Sequence, residues 1–187
     1  MGIPFMIFLA AVGAIVVFII VSYNRLVSLT QRSQSAWSDV DVQLKRRTDL
    51  VPNLVESVKG YAAHERDTLD AVVKARSAAV AAQTPDSRAQ AEGQLSQALR
   101  GLFALAESYP DLKATANFQS LQASLGEIEE AVQNARRYFN AVIRDLNTAI
   151  QEFPSNLVAG FFQFKPHAYF ELDRPDERQV PKVSFGG

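Results

Sequence analysis

The chain has 187 residues, a formal net charge of -1 and no cysteine. The lack of cysteine excludes a disulfide framework, a thiolate metal site and a cysteine nucleophile. The near-neutral charge argues against a nucleic-acid partner, because a duplex-binding surface carries a surplus of Lys and Arg. All charged side chains lie between residues 25 and 187.

The amino-terminal segment is apolar. Residues 3–21 are interrupted only by Pro4 and Gly13, and a helix of that length rises about 28 Å, close to the hydrocarbon thickness of about 30 Å. The run predicts a transmembrane helix over residues 1–23, with residues 3–21 in contact with the lipid bilayer. A cleaved signal peptide is the alternative, but its positive leading segment and small-residue cleavage site are not evident.

The placement of Lys and Arg predicts the orientation of this span. None precedes it, whereas Arg25, Arg32 and the Lys45–Arg47 run follow it. The positive-inside rule therefore predicts the amino terminus outside and the rest of the chain in the cytoplasm. A periplasmic location of the helical part is the alternative.

Helical periodicity continues beyond the span. We expect the first helix to run through about Leu50 and to bend or break at Pro52, which removes a backbone donor. A second helix is predicted from Asn53 to about Ala82. Thr84 and Pro85 form a helix start signal, so a third helix is predicted from about Pro85 to Ser108.

The fourth predicted helix carries the clearest pattern, with Asn117 as its N-cap and Pro154 as its stop. Apolar residues recur there in alternating steps of three and four, which is the spacing of a coiled-coil seam. They are Phe118, Leu121, Leu125, Ile128, Val132, Ala135, Phe139, Val142, Leu146, Ala149 and Phe153.

These elements predict an all-α fold, a long antiparallel bundle of about four helices whose first helix is continuous with the span. No segment shows the alternation of a strand. We predict three divisions: the span (1–23), the bundle (24–153), and an aromatic segment followed by a proline-containing, extended tail (154–187).

The densest charged stretch holds Asp39, Asp41 and Arg47. One interpretation is a solvated helix face. The other concerns Arg47, which continues the apolar stripe three residues after Leu44, where a solvated charge is unexpected. We hypothesise that Arg47 meets a carboxylate on a facing helix, Glu65 or Glu130, and fixes the register of the bundle.

Aromatic side chains cluster near the carboxyl end of the chain. One interpretation is packing on the end of the bundle; the other is an interaction surface between subunits, or toward a membrane or partner. The residues concerned are Phe161, Phe162, Phe164, Tyr169 and Phe170.

Reactive motifs are poorly represented. His64-Glu65 would begin a zinc-protease motif, but Thr68 stands where the second histidine is required. Neither histidine fits the Glu-x-x-His pattern of di-iron bundles. We therefore predict no catalytic residue, no metal ligand and no cofactor, and a protein that is not an enzyme.

Several ordered motifs resemble the LemA family of bacterial membrane proteins. The densest is AWSDVDVQLKRR at 36–47. The others are YNRLV at 23–27, DLVPNLV at 49–55, VKGYA at 58–62, HE at 64–65, AESYPDLK at 106–113, ARRYFN at 135–140, FPSN at 153–156 and FKP at 164–166. The resemblance implies one span and a helical bundle at the bacterial inner membrane. It also implies a link to magnetosome membrane formation in one branch and proximity to a membrane metalloprotease in others, and no catalytic residue is carried over.

The combined expectation is a non-catalytic, membrane-anchored helical scaffold that forms homo-oligomers and organises or remodels membrane. Sustained seams favour helix association within or between chains. The first alternative is an adaptor or regulator of a membrane metalloprotease or envelope stress system. The second is a metal-dependent enzyme, which the residues do not favour.

Overall fold

The computed structural model describes residues 2–171, and all regular structure in that range is helical. The helices are α1 (Ile3–Lys59), α2 (Arg66–Ala81), α3 (Pro85–Ala106), α4 (Pro110–Lys113), α5 (Ala116–Gln151) and α6 (Ser155–Phe161). The all-α prediction is therefore confirmed. The tail predicted at the carboxyl end lies, beyond residue 171, outside the described residues.

The described chain divides into two compact units. The first unit comprises residues 2–41 and 133–169. Its buried core lies where α1, α5 and α6 meet, and Trp37 and Phe139 pack with ring centroids 5.5 Å apart. The core residues are Leu26, Leu146, Ala149, Ile150, Val158 and Ala159.

The second unit comprises residues 42–132 and 170–171. It holds the end of α1, the helices α2 to α4 and the first part of α5. Its core is built from apolar stripes on these helices, including Val51, Leu54, Val58, Val72, Leu95, Leu99, Leu102, Leu112 and Phe118. The three divisions drawn from the sequence stay predictions.

The predicted break at Pro52 does not occur, because α1 continues through Pro52 to Lys59. Pro52 has no N–H, so the carbonyl four residues earlier, that of Thr48, lacks its usual helical donor. Arg76 on α2 donates its Nε–H to the Thr48 carbonyl oxygen at 2.8 Å. A side chain from another helix thus replaces the missing bond and lets the helix continue.

The predicted second helix is divided. Residues 53–59 belong to α1, and α2 begins only at Arg66. The intervening turn starts at Gly60, a poor helix former, and is closed by the Ala62 N–H donating to the Val58 carbonyl at 2.8 Å. Burial of Ala62 in the core favours this turn over a longer helix.

The start of α3 agrees with its prediction, and the start of α5 does not. Thr84 caps α3 by accepting the Ser87 N–H in a capping box with Pro85 in the first turn. The helix α5 begins at Ala116, so Asn117 lies inside it. Its cap is Thr115, whose hydroxyl accepts the Phe118 N–H at 3.3 Å.

The seam predicted for α5 is mostly buried within the single chain. The buried positions are Phe118, Leu125, Ile128, Val132, Phe139, Val142, Leu146 and Ala149. Leu121 and Ala135 are half-buried, whereas Phe153, beyond the end of the helix, is 75% exposed. The seam is therefore used for intramolecular packing.

Candidate functional site

A buried charge cluster lies in the second unit, centred on Arg47 of α1, which is 2% exposed. Its Nη1–H donates to Glu92 Oε2 of α3 at 3.1 Å. Its Nη2–H donates to the hydroxyl of Ser96, one turn along α3, at 2.8 Å and also pairs with the Glu129 carboxylate of α5. One guanidinium therefore ties three helices together.

Glu92 is the carboxylate at the centre of this cluster and is fully buried. Its Oε1 lies 3.8 Å from Arg88 Nε, one turn earlier on α3. Arg88 also donates through Nη1 to the Ala79 carbonyl near the end of α2, at 2.7 Å. Burial raises the pKa of Glu92, although Arg47 and Arg88 act to lower it and the Glu129 charge adds to the rise.

Arg47 pairs with the carboxylates of Glu92 and Glu129 on facing helices and not with the predicted Glu65 or Glu130. Glu65 instead accepts a hydrogen bond from the Tyr109 hydroxyl at 3.3 Å. Glu130 is exposed on α5. Periodicity shows which face of a helix is buried but not how two helices are aligned, so it could not distinguish these glutamates.

The other predicted polar residues, Asp39 and Asp41, lie on exposed positions of α1. The sequence reasoning missed Glu92, although a signal was present. Glu92 lies three residues before Leu95 on the apolar stripe of α3, the same relationship that singled out Arg47. Comparing the charged residues on the apolar stripes of α1 and α3 would have indicated that Arg47 and Glu92 pair.

The aromatic segment lies mainly against the carboxyl-terminal end of the span. The Tyr23 ring of α1 packs against Phe162 and Phe164 with centroid separations of 4.7 and 5.8 Å. Phe161 contacts Phe162 at 5.0 Å but is itself 82% exposed. The five predicted aromatic residues therefore serve different purposes, with Phe162 and Phe164 packing and Phe161 presenting its ring outward.

Tyr169 and Phe170 behave differently from that segment. Tyr169 is 43% exposed at the end of the first unit, whereas Phe170 is 1% exposed and belongs to the second. Phe170 is therefore a core residue of its unit.

Two grooves open on the first unit. An apolar groove of about 510 Å³ is lined by Ile15, Phe18 and Ile19 of α1 and by Leu157 and Phe161 of α6, together with their neighbours.

The second groove, of about 410 Å³, has Arg25, Arg32, Arg144 and Asp145 among its lining residues. Its excess of guanidinium groups favours anions.

Within residues 2–171 we find no grouping of three or more His, Asp or Glu side chains suited to a metal ion. His64 is exposed. The buried ionisable groups around Arg47 pair with one another. Mutually paired charges of this kind are suited to a structural role.

The first part of α1 is long and apolar enough to cross a membrane. Every residue from 2 to 21 is exposed. Burial in a core therefore does not account for this apolar surface, and the segment fits association with a bilayer.

Comparison with known proteins finds relatives that match most of the chain. The chain is 25% identical to magnetosome protein MamQ 2 of Paramagnetospirillum magneticum, over 86% of this chain and 69% of that protein. It is 26% identical to MamQ of Magnetospirillum gryphiswaldense (84% and 67% covered) and 26% identical to protein LemA of Metamycoplasma hominis (82% and 72% covered). None of these names states an enzymatic activity. The LemA family model matches residues 36–185, and the chain accordingly belongs to the LemA family.

Proposed function

We propose that this protein is a non-catalytic helical scaffold, anchored in the inner membrane of a bacterium, which self-assembles there and organises the membrane. The continuity of α1 carries the proposal. Its residues 2–21 are exposed and apolar, and the same helix then enters the core of the first unit from Ser22 and Leu26 onward. An anchor joined to a packed body without a linker holds that body at the membrane surface.

The magnetosome relatives support a role in organising membrane, since two of the named matches are magnetosome proteins. The closed charge cluster around Arg47 supports a structural function, because its groups neutralise one another. The positive-inside pattern supports an outer amino terminus and a cytoplasmic body.

Self-assembly requires a surface other than the α5 seam, which is largely buried inside the chain. An exposed face of α2 offers such a surface. Val73 and Val80, seven residues apart, are 47% and 56% exposed. Residues at this spacing lie on the same side of a helix, and two β-branched apolar side chains there favour packing against another helix.

The mass of the full-length protein in detergent tests the proposal. We expect an oligomer for the natural chain and a monomer for the double variant Val73→Glu with Val80→Glu, because four or more added carboxylates would meet at the interface. Ala71→Glu with Ala78→Glu is the matched control, as these exposed residues share the seven-residue spacing on another side of α2. The control should remain oligomeric.

A monomeric natural chain, both in detergent and after cross-linking in native membranes, would contradict self-assembly. A stoichiometric membrane protease that co-purifies with such a monomer would favour the adaptor function instead. Release of the protein from membranes by alkaline carbonate would contradict the anchor.

A further inference from the structure

We propose that α6 is a second membrane-contacting element and that the apolar groove between α6 and the span accommodates an acyl chain of a bilayer lipid. The inference rests on the proposed function only in requiring that α1 crosses the bilayer. It adds a lipid-binding surface contributed by a part of the chain more than a hundred residues away from the span.

The groove has one wall that belongs to the span itself. Ile15, Phe18 and Ile19 lie within the apolar run 3–21, and they face Leu157 and Phe161 of α6 across the groove. A span whose residues lie in hydrocarbon brings the facing wall to the same depth. Lipid chains are therefore the molecules adjacent to this opening, and apolar walls are suited to them.

The helix α6 has two distinct faces. Val158 and Ala159 are buried in the core of the first unit. Leu157 and Phe161, four residues apart, are 64% and 82% exposed. In water these two side chains would form an unfavourable apolar patch beside the exposed span. In the membrane interface they would be buried, as the apolar face of an amphipathic segment is when it lies on a bilayer.

The flanking residues fix the depth of α6. Tyr23 follows the apolar run 3–21 after one residue, Ser22, and its ring contacts Phe162. Tyrosine is favoured at the membrane–water interface, where its ring is apolar and its hydroxyl is solvated. Arg25 and Lys165 are exposed on the chain segments next to Tyr23 and Phe164, and cations at this level meet lipid phosphates. The carboxyl end of α6 thus lies at the border between the hydrocarbon and the headgroups.

Depth-dependent quenching tests the proposal in the full-length chain, which has no natural cysteine to interfere with labelling. We would introduce Phe161→Cys, attach a polarity-sensitive fluorophore, and reconstitute the protein into phosphatidylcholine vesicles with or without bromine on the acyl chains. Val12→Cys in the span is the hydrocarbon control. Asp145→Cys, at an exposed position that lines the second groove, is the water control.

The expected result is a blue-shifted label at position 161 that is quenched by acyl-chain bromine, as is the label at position 12. The label at position 145 should be insensitive to bromine and accessible to aqueous iodide. Leu157→Cys provides a second site on the same face in case Phe161→Cys does not fold, as judged by circular dichroism. Because acyl chains carry no charge, quenching should persist in high salt.

Iodide-accessible, bromine-insensitive labels at both 157 and 161 would overturn the proposal. So would labels that are shielded from iodide but not quenched by bromolipid, because this result would indicate that a second copy covers the groove. In either case normal quenching at position 12 would leave the anchor intact, whereas loss of quenching at position 12 would contradict the proposed function itself.

Discussion

Arg76 donates its Nε–H to the Thr48 carbonyl oxygen at 2.8 Å, the one helical acceptor that Pro52 leaves without a backbone donor. Thr48 is 2% exposed, so water cannot readily replace this bond. The contact allows α1 to remain helical through Pro52, and it links α1 to α2 in the second unit. A proline in the middle of a long helix is thereby tolerated through a tertiary contact.

We expect Arg76→Met to lower the free energy of unfolding by about 1–3 kcal/mol, because it leaves a buried carbonyl unsatisfied. Adding Pro52→Ala should recover most of this loss, since alanine supplies the missing N–H. Denaturant unfolding of the four proteins of this double-mutant cycle measures the effect. Lys74→Met, at an exposed position of α2, is the control. Equal effects of Arg76→Met with and without Pro52 would contradict the explanation.

Arg47→Met should lower the free energy of unfolding by about 3–5 kcal/mol, because it removes one partner of a buried ion pair and leaves Glu92 without its closest cation. Arg47→Met combined with Glu92→Leu should be markedly more stable than the single variant. The exposed Arg46→Met serves as the control. If Arg47→Met were more stable than the natural protein and assembled normally, Arg47 would have no role in helix register.

The pH dependence of stability should depend on Glu92. Burial raises the pKa of this carboxyl above its ordinary value of 4.5, so the folded protein holds this proton more tightly than the unfolded chain does. Its stabilising contribution is complete below that ordinary value and is lost as the pH rises through the folded pKa. The stability of the natural protein relative to Glu92→Gln should therefore fall from acidic to neutral pH. A constant difference would refute this, and Glu127→Gln on an exposed position of α5 should show no such trend.

Thr84→Ala should destabilise the protein by about 1 kcal/mol, because it removes the hydroxyl that accepts the Ser87 N–H at the start of α3. Thr84→Asn should preserve most of the stability, since asparagine also caps helices well. Thermal unfolding followed by circular dichroism measures both. Similar losses for the two variants would show that Thr84 contributes through packing instead.

The orientation can be tested with reporters fused to the carboxyl end. A reporter active only in the cytoplasm should give signal, and alkaline phosphatase, which is active outside, should not. Replacing Arg25 and Arg32 by glutamate should shift this ratio toward the outside, because the positive-inside signal nearest the span is lost. Strong phosphatase activity in the natural chain would reverse the assignment.

Strong local signals let the sequence predict several elements. The capping pair Thr84 and Pro85 marked the start of α3, and the three-four spacing marked the buried face of α5. Pro52 was misleading because its effect on a helix depends on whether a distant donor reaches the orphaned carbonyl. That donor, Arg76, is distant in sequence and on another helix, so no local rule could identify it.

The sequence was sufficient to predict a buried charge pair at Arg47, but not to identify the carboxylates that pair with it. The position of Arg47 on an apolar stripe indicated a buried cation with a carboxylate partner. Choosing Glu92 required the alignment of α1 with α3, which depends on the packing of whole helices. The outward position of Phe161 likewise depends on how α6 turns after Pro154, so composition alone could not separate it from Phe162.

The unbroken course of α1 has a mechanical consequence for the first unit. No break in the helix separates the apolar residues of the span from Leu26 and Trp37. Any tilt that the bilayer thickness imposes on the span is therefore transmitted to this unit. A membrane that thins or curves would thus reorient the attached α5 and α6 segments. In the proposed assembly, neighbouring copies would therefore respond to the geometry of the bilayer beneath them.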